Sequence, residues 1–184
     1  MVKKIPNIIT VIRLLLIPMF ILAFYSDNEN RKTIYSLIFA LSGISDVADG
    51  YIARKFNCES KFGKLMDPFA DKMMQISVAF CVSSVAKQLI WVPIFLVVKE
   101  LFMIFGAAGL LKQKNIVVQS NWAGKLATVI YFIAFMALLI FDHMIKPEIT
   151  QLLCGAFAVF SVTALIIYIK KYIKIYNEQK ALKD

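Results

Sequence analysis

A single histidine, His143, stands in the 184 residues. Alone it cannot furnish a zinc site, and it falls in a predicted outer loop, so it reads as a surface residue. Cysteines are few. Cys58, Cys81 and Cys154 form no CxxC pair and are odd in number, which argues against a disulfide framework and leaves isolated thiols in apolar surroundings. The chain shows no internal repeat and no low-complexity segment. Acidic residues are scarce, 12 against 21 Lys and Arg, for a net charge of +9. The basic residues are scattered between apolar spans, with no aromatic platform and no DNA-binding motif, so nucleic acid is not an expected partner. Anionic lipid head groups and phosphate substrates fit the charge better. Lys3 and Lys4 precede an apolar run, but no small-residue cleavage site follows it. The run is therefore expected to stay as a first membrane helix rather than leave as a signal peptide.

What the chain has in abundance is apolar surface. Hydrophobic residues make up 60% of it and the mean hydropathy is +0.71, above the apolar share of an ordinary soluble domain. A membrane-spanning helix needs roughly 20 apolar residues. Six such segments, at about 7–25, 32–56, 63–86, 90–111, 122–141 and 149–175, consume nearly the whole length. The expected fold class is all-α: a polytopic membrane protein, one bundle of six transmembrane helices forming a single domain over 1–184.

Basic residues orient the bundle. With the N-terminus in the cytosol, only Arg31, Lys32, Lys87 and Lys146 of the 21 basic residues fall on the outer side. Both termini are then cytosolic. The tail KKYIKIYNEQKALKD reads as a helix end leaving the membrane beside anionic lipid. Trp91 and Trp122, at predicted helix starts, read as interfacial anchors. Met66, Met73, Met74 and Met103 read as packing residues.

Against this apolar background five acidic residues lie inside predicted membrane helices: Asp46, Asp49, Asp67, Asp71 and Glu100. Each carboxylate at such depth costs at least ~2.5–3.5 kcal/mol, and clustered carboxylates repel one another. A bundle keeps such a cluster only if cations neutralise it. Asp46 and Asp49 are three residues apart, and Asp67 and Asp71 four, so each pair shares a helix face. Ala53 continues the first stripe, Gly50 follows Asp49, and Gly63 lies one turn before Asp67. These small residues allow a helix or a bulky substrate to come close. The short connection from Lys55 to Phe62 makes the two helices antiparallel neighbours, with all four carboxylates near the cytosolic face. An all-oxygen donor set suits two divalent cations, Mg²⁺ or Mn²⁺, rather than zinc. Two such ions among four carboxylates suggest phosphoryl-type transfer, and Arg54 is placed to reach donor phosphates.

The segment Asp46-Val-Ala-Asp49-Gly50-Tyr-Ile-Ala53-Arg54, eight residues, then Gly63-Lys-Leu-Met-Asp67-Pro-Phe-Ala-Asp71, resembles the signature of the CDP-alcohol phosphatidyltransferases at all eight positions. The resemblance implies attack of an alcohol on CDP-diacylglycerol with loss of CMP, in a bacterial cell membrane with the site facing the cytosol. By position it implies Asp46, Asp49, Asp67 and Asp71 as metal ligands, with Asp71 also the general base. It implies Gly50, Ala53, Arg54 and Gly63 around the CDP-lipid. No Ser, Cys or His in the motif offers a nucleophile, so direct transfer is expected. The stretch Ile5-Pro6-Asn7-Ile8-Ile9-Thr10-Val11-Ile12-Arg13 is similar to the opening of the family's branch that uses glycerol 3-phosphate. It adds Asn7, Thr10 and Arg13 to the CDP-lipid-binding set.

Lys99-Glu100 stands where that branch carries Arg-Glu, Ala107 where it carries a second Arg, and Gly124-Lys125 where it carries Gly-Lys. Lys99 and Lys125 are therefore the expected acceptor-binding residues. Each has a plainer reading: Lys99 and Glu100 as ion pairs with other helices, Lys125 and Arg13 as side chains snorkelling to the interface. The acceptor implied first is glycerol 3-phosphate, a small phosphorylated alcohol. The alternative is a lipid acceptor, phosphatidylglycerol, because 99–111 also resembles the cardiolipin-forming branch. Membrane lipids and, as an open option, a second copy of the chain in a homodimer complete the expected partners. A divalent-ion transporter is the rival from another class, since acidic residues in membrane helices often mark ion paths. Such a protein spreads its charges through the membrane or repeats its halves, and this chain does neither.

Overall fold

Helical periodicity governs all the regular structure found. The computed structural model describes residues 5–55, 61–114, 122–141 and 146–181. Side chains are described throughout except at 5–7, 47, 49–55, 61–65, 105–114, 171–172 and 174–181. Six α-helices follow one another: α1 (Ile5–Phe24), α2 (Arg31–Lys55), α3 (Lys61–Val85), α4 (Trp91–Lys114), α5 (Trp122–Phe141) and α6 (Pro147–Ala181). A 3-10 turn, Lys87–Leu89, joins α3 to α4, and no strand occurs among the described residues. Five of the six lie within three residues of their expected ends. The sixth runs on to Ala181 rather than stopping near 175, because the tail is rich in good helix formers and contains neither Gly nor Pro. Trp91 and Trp122 are the first residues of their helices, as expected of anchors.

The helix junctions have local causes. Before α2, Asn28 Oδ1 accepts from the Asn30 N–H at 2.8 Å and its carbonyl accepts from the Arg31 N–H at 3.0 Å, an Asn-stabilised turn. α6 opens on Pro147 followed by Glu148. Proline loses nothing at a first helical position, and the acid faces the positive helix end. Leu89, wholly buried, plugs the α3–α4 turn, where its N–H donates to the Ala86 carbonyl at 2.8 Å.

The chain divides into two units. The first holds α1, α2, α3, the start of α4 and the end of α5, residues 1–93 and 135–145. Within it α1 packs along both α2 and α3, which among the described residues touch each other over a shorter stretch. Away from the aspartates, Phe20 of α1 is fully buried against Tyr35 and Phe39 of α2, with ring centroids 6.1 and 6.4 Å away in edge-on geometry. The Tyr35 hydroxyl donates to the Leu139 carbonyl of α5 at 3.4 Å. Pro18, inside α1, removes one backbone donor without ending the helix.

The second unit holds residues 94–134 and 146–184. Phe157 of α6 joins its helices, edge-on to Tyr131 of α5 at 5.1 Å and to Phe95 of α4 at 6.2 Å. Cys154 is buried in this unit and Cys81 in the first, both as free thiols, in line with the reading of isolated thiols. Cys58, Ala107 and His143 lie outside the residues or side chains described. Met74 is buried as a packing residue, but Met73 faces outward at 37% exposure, since consecutive positions diverge by about 100° on a helix.

α1 is apolar outside and polar inside. Ile8, Val11, Ile12, Leu15, Met19 and Leu22 form its exposed stripe, whereas Thr10, Arg13, Ile17 and Phe20 form its buried one. Among the described residues two helical stretches, Trp122–Phe141 and Pro147–Lys170, are long and apolar enough to cross a membrane.

Candidate active site

The polar half of the buried face of α1 is where the site begins. Thr10 and Arg13 are one turn apart and both fully buried. Thr10 Oγ1 donates to Asp67 Oδ1 of α3. Arg13 Nη1 donates to Asp46 Oδ1 of α2 at 2.7 Å, forming an ion pair in which the arginine side chain is 1% exposed and the aspartate 45%. One helix thus ties a carboxylate on each of two others. Asp67 and Asp71 also lie near enough to Asp46 to bear on its charge, as Arg13 does.

Further along α3, Asp71 Oδ2 accepts from the Gln75 side-chain amide at 3.0 Å and lies 3.3 Å from Lys72 Nζ. Asp67, Asp71 and Gln75 follow at steps of four, so the polar stripe runs one turn past the second aspartate and ends on a buried amide. The four-residue spacing is the signal that points to Gln75, a residue that the signature motif does not include. Asp46, Asp67 and Asp71, grouped in the sequence as two helix-face pairs, are thus together in one unit. Thr10 and Arg13 are bound to these carboxylates rather than snorkelling, because a guanidinium wholly out of water requires an anion. The side chains of Asn7, Asp49, Gly50, Ala53, Arg54 and Gly63 lie outside those described.

The donor chemistry fits divalent cations such as Mg²⁺ or Mn²⁺: carboxylate oxygens from facing helices, with no sulfur or imidazole among them. No group of three carboxylate, thiol or imidazole residues close enough to hold an ion occurs among the described residues, a set that omits the Asp49 side chain.

Lys99, Glu100 and Lys125 belong to the second unit. Lys99 Nζ and Glu100 Oε1 are 2.9 Å apart, with side chains 12% and 15% exposed. The neighbours pair with each other, as long flexible side chains at adjacent positions can when both are nearly out of water. Lys125 is exposed on the first turn of α5.

Removing the Arg13 charge leaves Asp46 without its ion pair. Arg13→Ala is expected to destabilise the folded protein by about 2–3 kcal/mol, below the full cost of breaking a buried pair because Asp46 is half-exposed. Thermal unfolding in detergent measures it. Arg13→Met with Asp46→Leu should recover most of the loss, and an unchanged unfolding temperature in Arg13→Ala would show the pair to be dispensable.

Comparison with known proteins follows the same residues. The CDP-alcohol phosphatidyltransferase family model matches residues 3–170. The chain is 33% identical over 138 residues to the CDP-diacylglycerol–glycerol-3-phosphate 3-phosphatidyltransferase of Rickettsia felis, covering 75% of this chain and 76% of that one. Identity to the proteins of the same name is 43% over 74 residues in Haemophilus influenzae, 40% of each chain. In Pseudomonas fluorescens it is 46% over 71 residues, 39% of this chain and 36% of that one. A match running from α1, which ties the carboxylates, into α6 makes this chain a member of the CDP-alcohol phosphatidyltransferase family.

Proposed function

We propose that the protein transfers the phosphatidyl group of CDP-diacylglycerol to glycerol 3-phosphate, giving phosphatidylglycerophosphate and CMP. The observation that carries the chemistry is that one face of α1 holds Asp46 of α2 through Arg13 and Asp67 of α3 through Thr10, with Asp71 one turn further along α3. The choice of acceptor rests on the relatives, whose names specify glycerol 3-phosphate over most of the matched length.

In this reading an acceptor hydroxyl oxygen attacks the phosphorus that carries the diacylglycerol. The bond from that phosphorus to the CMP oxygen breaks, and CMP leaves with the electron pair. Asp71 takes the hydroxyl proton, held in place by the Gln75 amide. Asp46, Asp49, Asp67 and Asp71 would hold two divalent cations, which when bound supply positive charge against the pyrophosphate and the departing CMP. Arg13 and Thr10 orient Asp46 and Asp67 from behind, so each carboxylate keeps a fixed direction. By their place in the signature and in the N-terminal stretch, Gly50, Ala53, Arg54, Gly63 and Asn7 are assigned to binding of the CDP-lipid, with Arg54 for its phosphates.

The proposed setting is a six-helix bundle in the cell membrane, with both termini and the carboxylates on the cytosolic side. The outward apolar stripes support it: that of α1, then Leu37, Leu41 and Ile44 on α2, Val129, Ile133 and Ile140 on α5, and Leu152, Val159 and Ile166 on α6. Exposed rows of this length in water would drive aggregation, whereas in lipid they cost nothing.

Product analysis tests the acceptor. The purified enzyme, given CDP-diacylglycerol and either glycerol 3-phosphate or phosphatidylglycerol, should form phosphatidylglycerophosphate from the first and no cardiolipin from the second. Lys125, exposed at the start of α5, is proposed to meet the acceptor's phosphate, with Lys99 supporting it. Lys125→Ala should raise KM for glycerol 3-phosphate about 10-fold or more, the worth of one charge-assisted contact, with kcat little changed. Cardiolipin as the sole product would move the enzyme to the family's other branch.

A further inference from the structure

Gln75 stands where the buried face of α3 turns from polar to apolar. The next position at the same four-residue step is Ala79, and Met74 and Val78 flank the amide, all of them buried. Gln75 itself is only 5% exposed. A primary amide in such surroundings is costly unless both its ends are bonded. Methionine has nearly the same shape and no polar group to desolvate, so packing alone favours it at this position.

The two ends of the amide meet opposite charges. Nε2 donates to Asp71 Oδ2 at 3.0 Å, and Oε1 accepts from Lys72 Nζ at 3.5 Å. Lys72 Nζ also lies 3.3 Å from the same Asp71 Oδ2. The three side chains close a ring within about one turn of α3, and the charges fix which way round the amide sits. An ionised carboxylate oxygen offers about two lone-pair directions, and Oδ2 has two donors. Both contacts seen at Asp71 among the described residues thus fall on one oxygen, while its side chain stays 27% exposed. The other oxygen, Oδ1, is the one left to an incoming group. A carboxyl group without such a tether turns readily about its last torsion and exchanges its oxygens.

We propose that Gln75 is a positioning residue for phosphatidyl transfer: by holding Oδ2 of Asp71 it presents Oδ1 to the acceptor hydroxyl. The acceptor proton then passes to Oδ1 as the new oxygen–phosphorus bond forms and CMP leaves with its electron pair. The inference rests on the reading of Asp71 as the base. It adds which oxygen of Asp71 does the work and which residue, outside the signature, makes the choice.

Kinetics and thermal unfolding of Gln75→Met test it together, on the full-length enzyme in detergent with CDP-diacylglycerol and glycerol 3-phosphate. The variant should lose about 10–100-fold in kcat, the range for residues that orient a working ligand. KM for each substrate should move less than about 2-fold, and the unfolding temperature should hold or rise. Gln75→Asn keeps the amide but falls one methylene short of Oδ2. It should lower kcat as well, and it carries the test if Gln75→Met does not fold. In the Asp71→Asn enzyme, Gln75→Met should cost nothing further, because the carboxylate that it orients is gone. A near-normal kcat in Gln75→Met or in Gln75→Asn would overturn the proposal. A kcat loss matched by a lower unfolding temperature would make the amide a packing element, and a loss that multiplies undiminished onto Asp71→Asn would place its action elsewhere; either result overturns it. Near-normal kcat in Asp71→Asn alone is a different failure, since it removes the base itself and the inference with it.

Discussion

Asp71→Asn is expected to lower kcat about 10²–10⁴-fold, the usual consequence of losing a general base, while donor binding largely survives. The substitution keeps the shape and one oxygen of the side chain and removes only the basic carboxylate. Asp71 is suited to the role by position, one turn beyond Asp67 on the same face of α3. Gln75 and Lys72 both reach its Oδ2. Asp49→Asn should act differently, weakening metal and donor binding together, because the signature assigns Asp49 to the metals alone. Steady-state kinetics at saturating metal separates the two. Near-normal kcat in Asp71→Asn would leave that residue as a ligand only.

Excess chelator is expected to abolish phosphatidyl transfer, and Mg²⁺ or Mn²⁺ to restore it. The warrant is charge. Asp67 and Asp71 of α3 lie near enough to Asp46 of α2 to bear on its charge, and Arg13 and Lys72 are the basic side chains seen paired with Asp46 and Asp71 among the described residues. Asp49 adds a further negative charge on α2. Hard oxygen donors in that excess bind hard divalent cations, and a CDP-lipid brings more negative charge to the same place. Metal removal should also lower the unfolding temperature in detergent, since the carboxylates then repel without compensation. Turnover that persists undiminished in chelator would remove the two-cation reading, even with the family membership intact.

The extent of the helices is legible in the amino-acid sequence alone. Each is a helical run bounded by polar connections, and among the described residues two of them, Trp122–Phe141 and Pro147–Lys170, are long and apolar enough to cross a membrane. The exception, the six extra residues of α6, lies in a basic tail where helix propensity and not hydropathy sets the end. The core of the site is legible too. Carboxylates at 46, 49, 67 and 71 are so costly in an apolar helix that their spacing identifies them, and i, i+3 and i, i+4 relations follow from the helix geometry itself.

What lies beyond the reach of sequence is partnership between elements. Thr10 and Arg13 stand in a stretch whose helical character is plain, but helical character does not say which helix their face meets. A fully buried Arg13 and a snorkelling Arg13 have the same local sequence. Only the packing of α1 along both α2 and α3 makes it the partner of Asp46 and gives Thr10 to Asp67. In the same way Lys99 and Glu100 pair with each other because both side chains are nearly buried, a condition set by the surrounding helices. Tyr35 of α2 and Leu139 of α5, more than a hundred positions apart, meet for the same reason. Periodicity along one chain segment determines which residues share a face. The choice of what that face meets is a long-range matter of shape and desolvation, and the tertiary structure alone decides it.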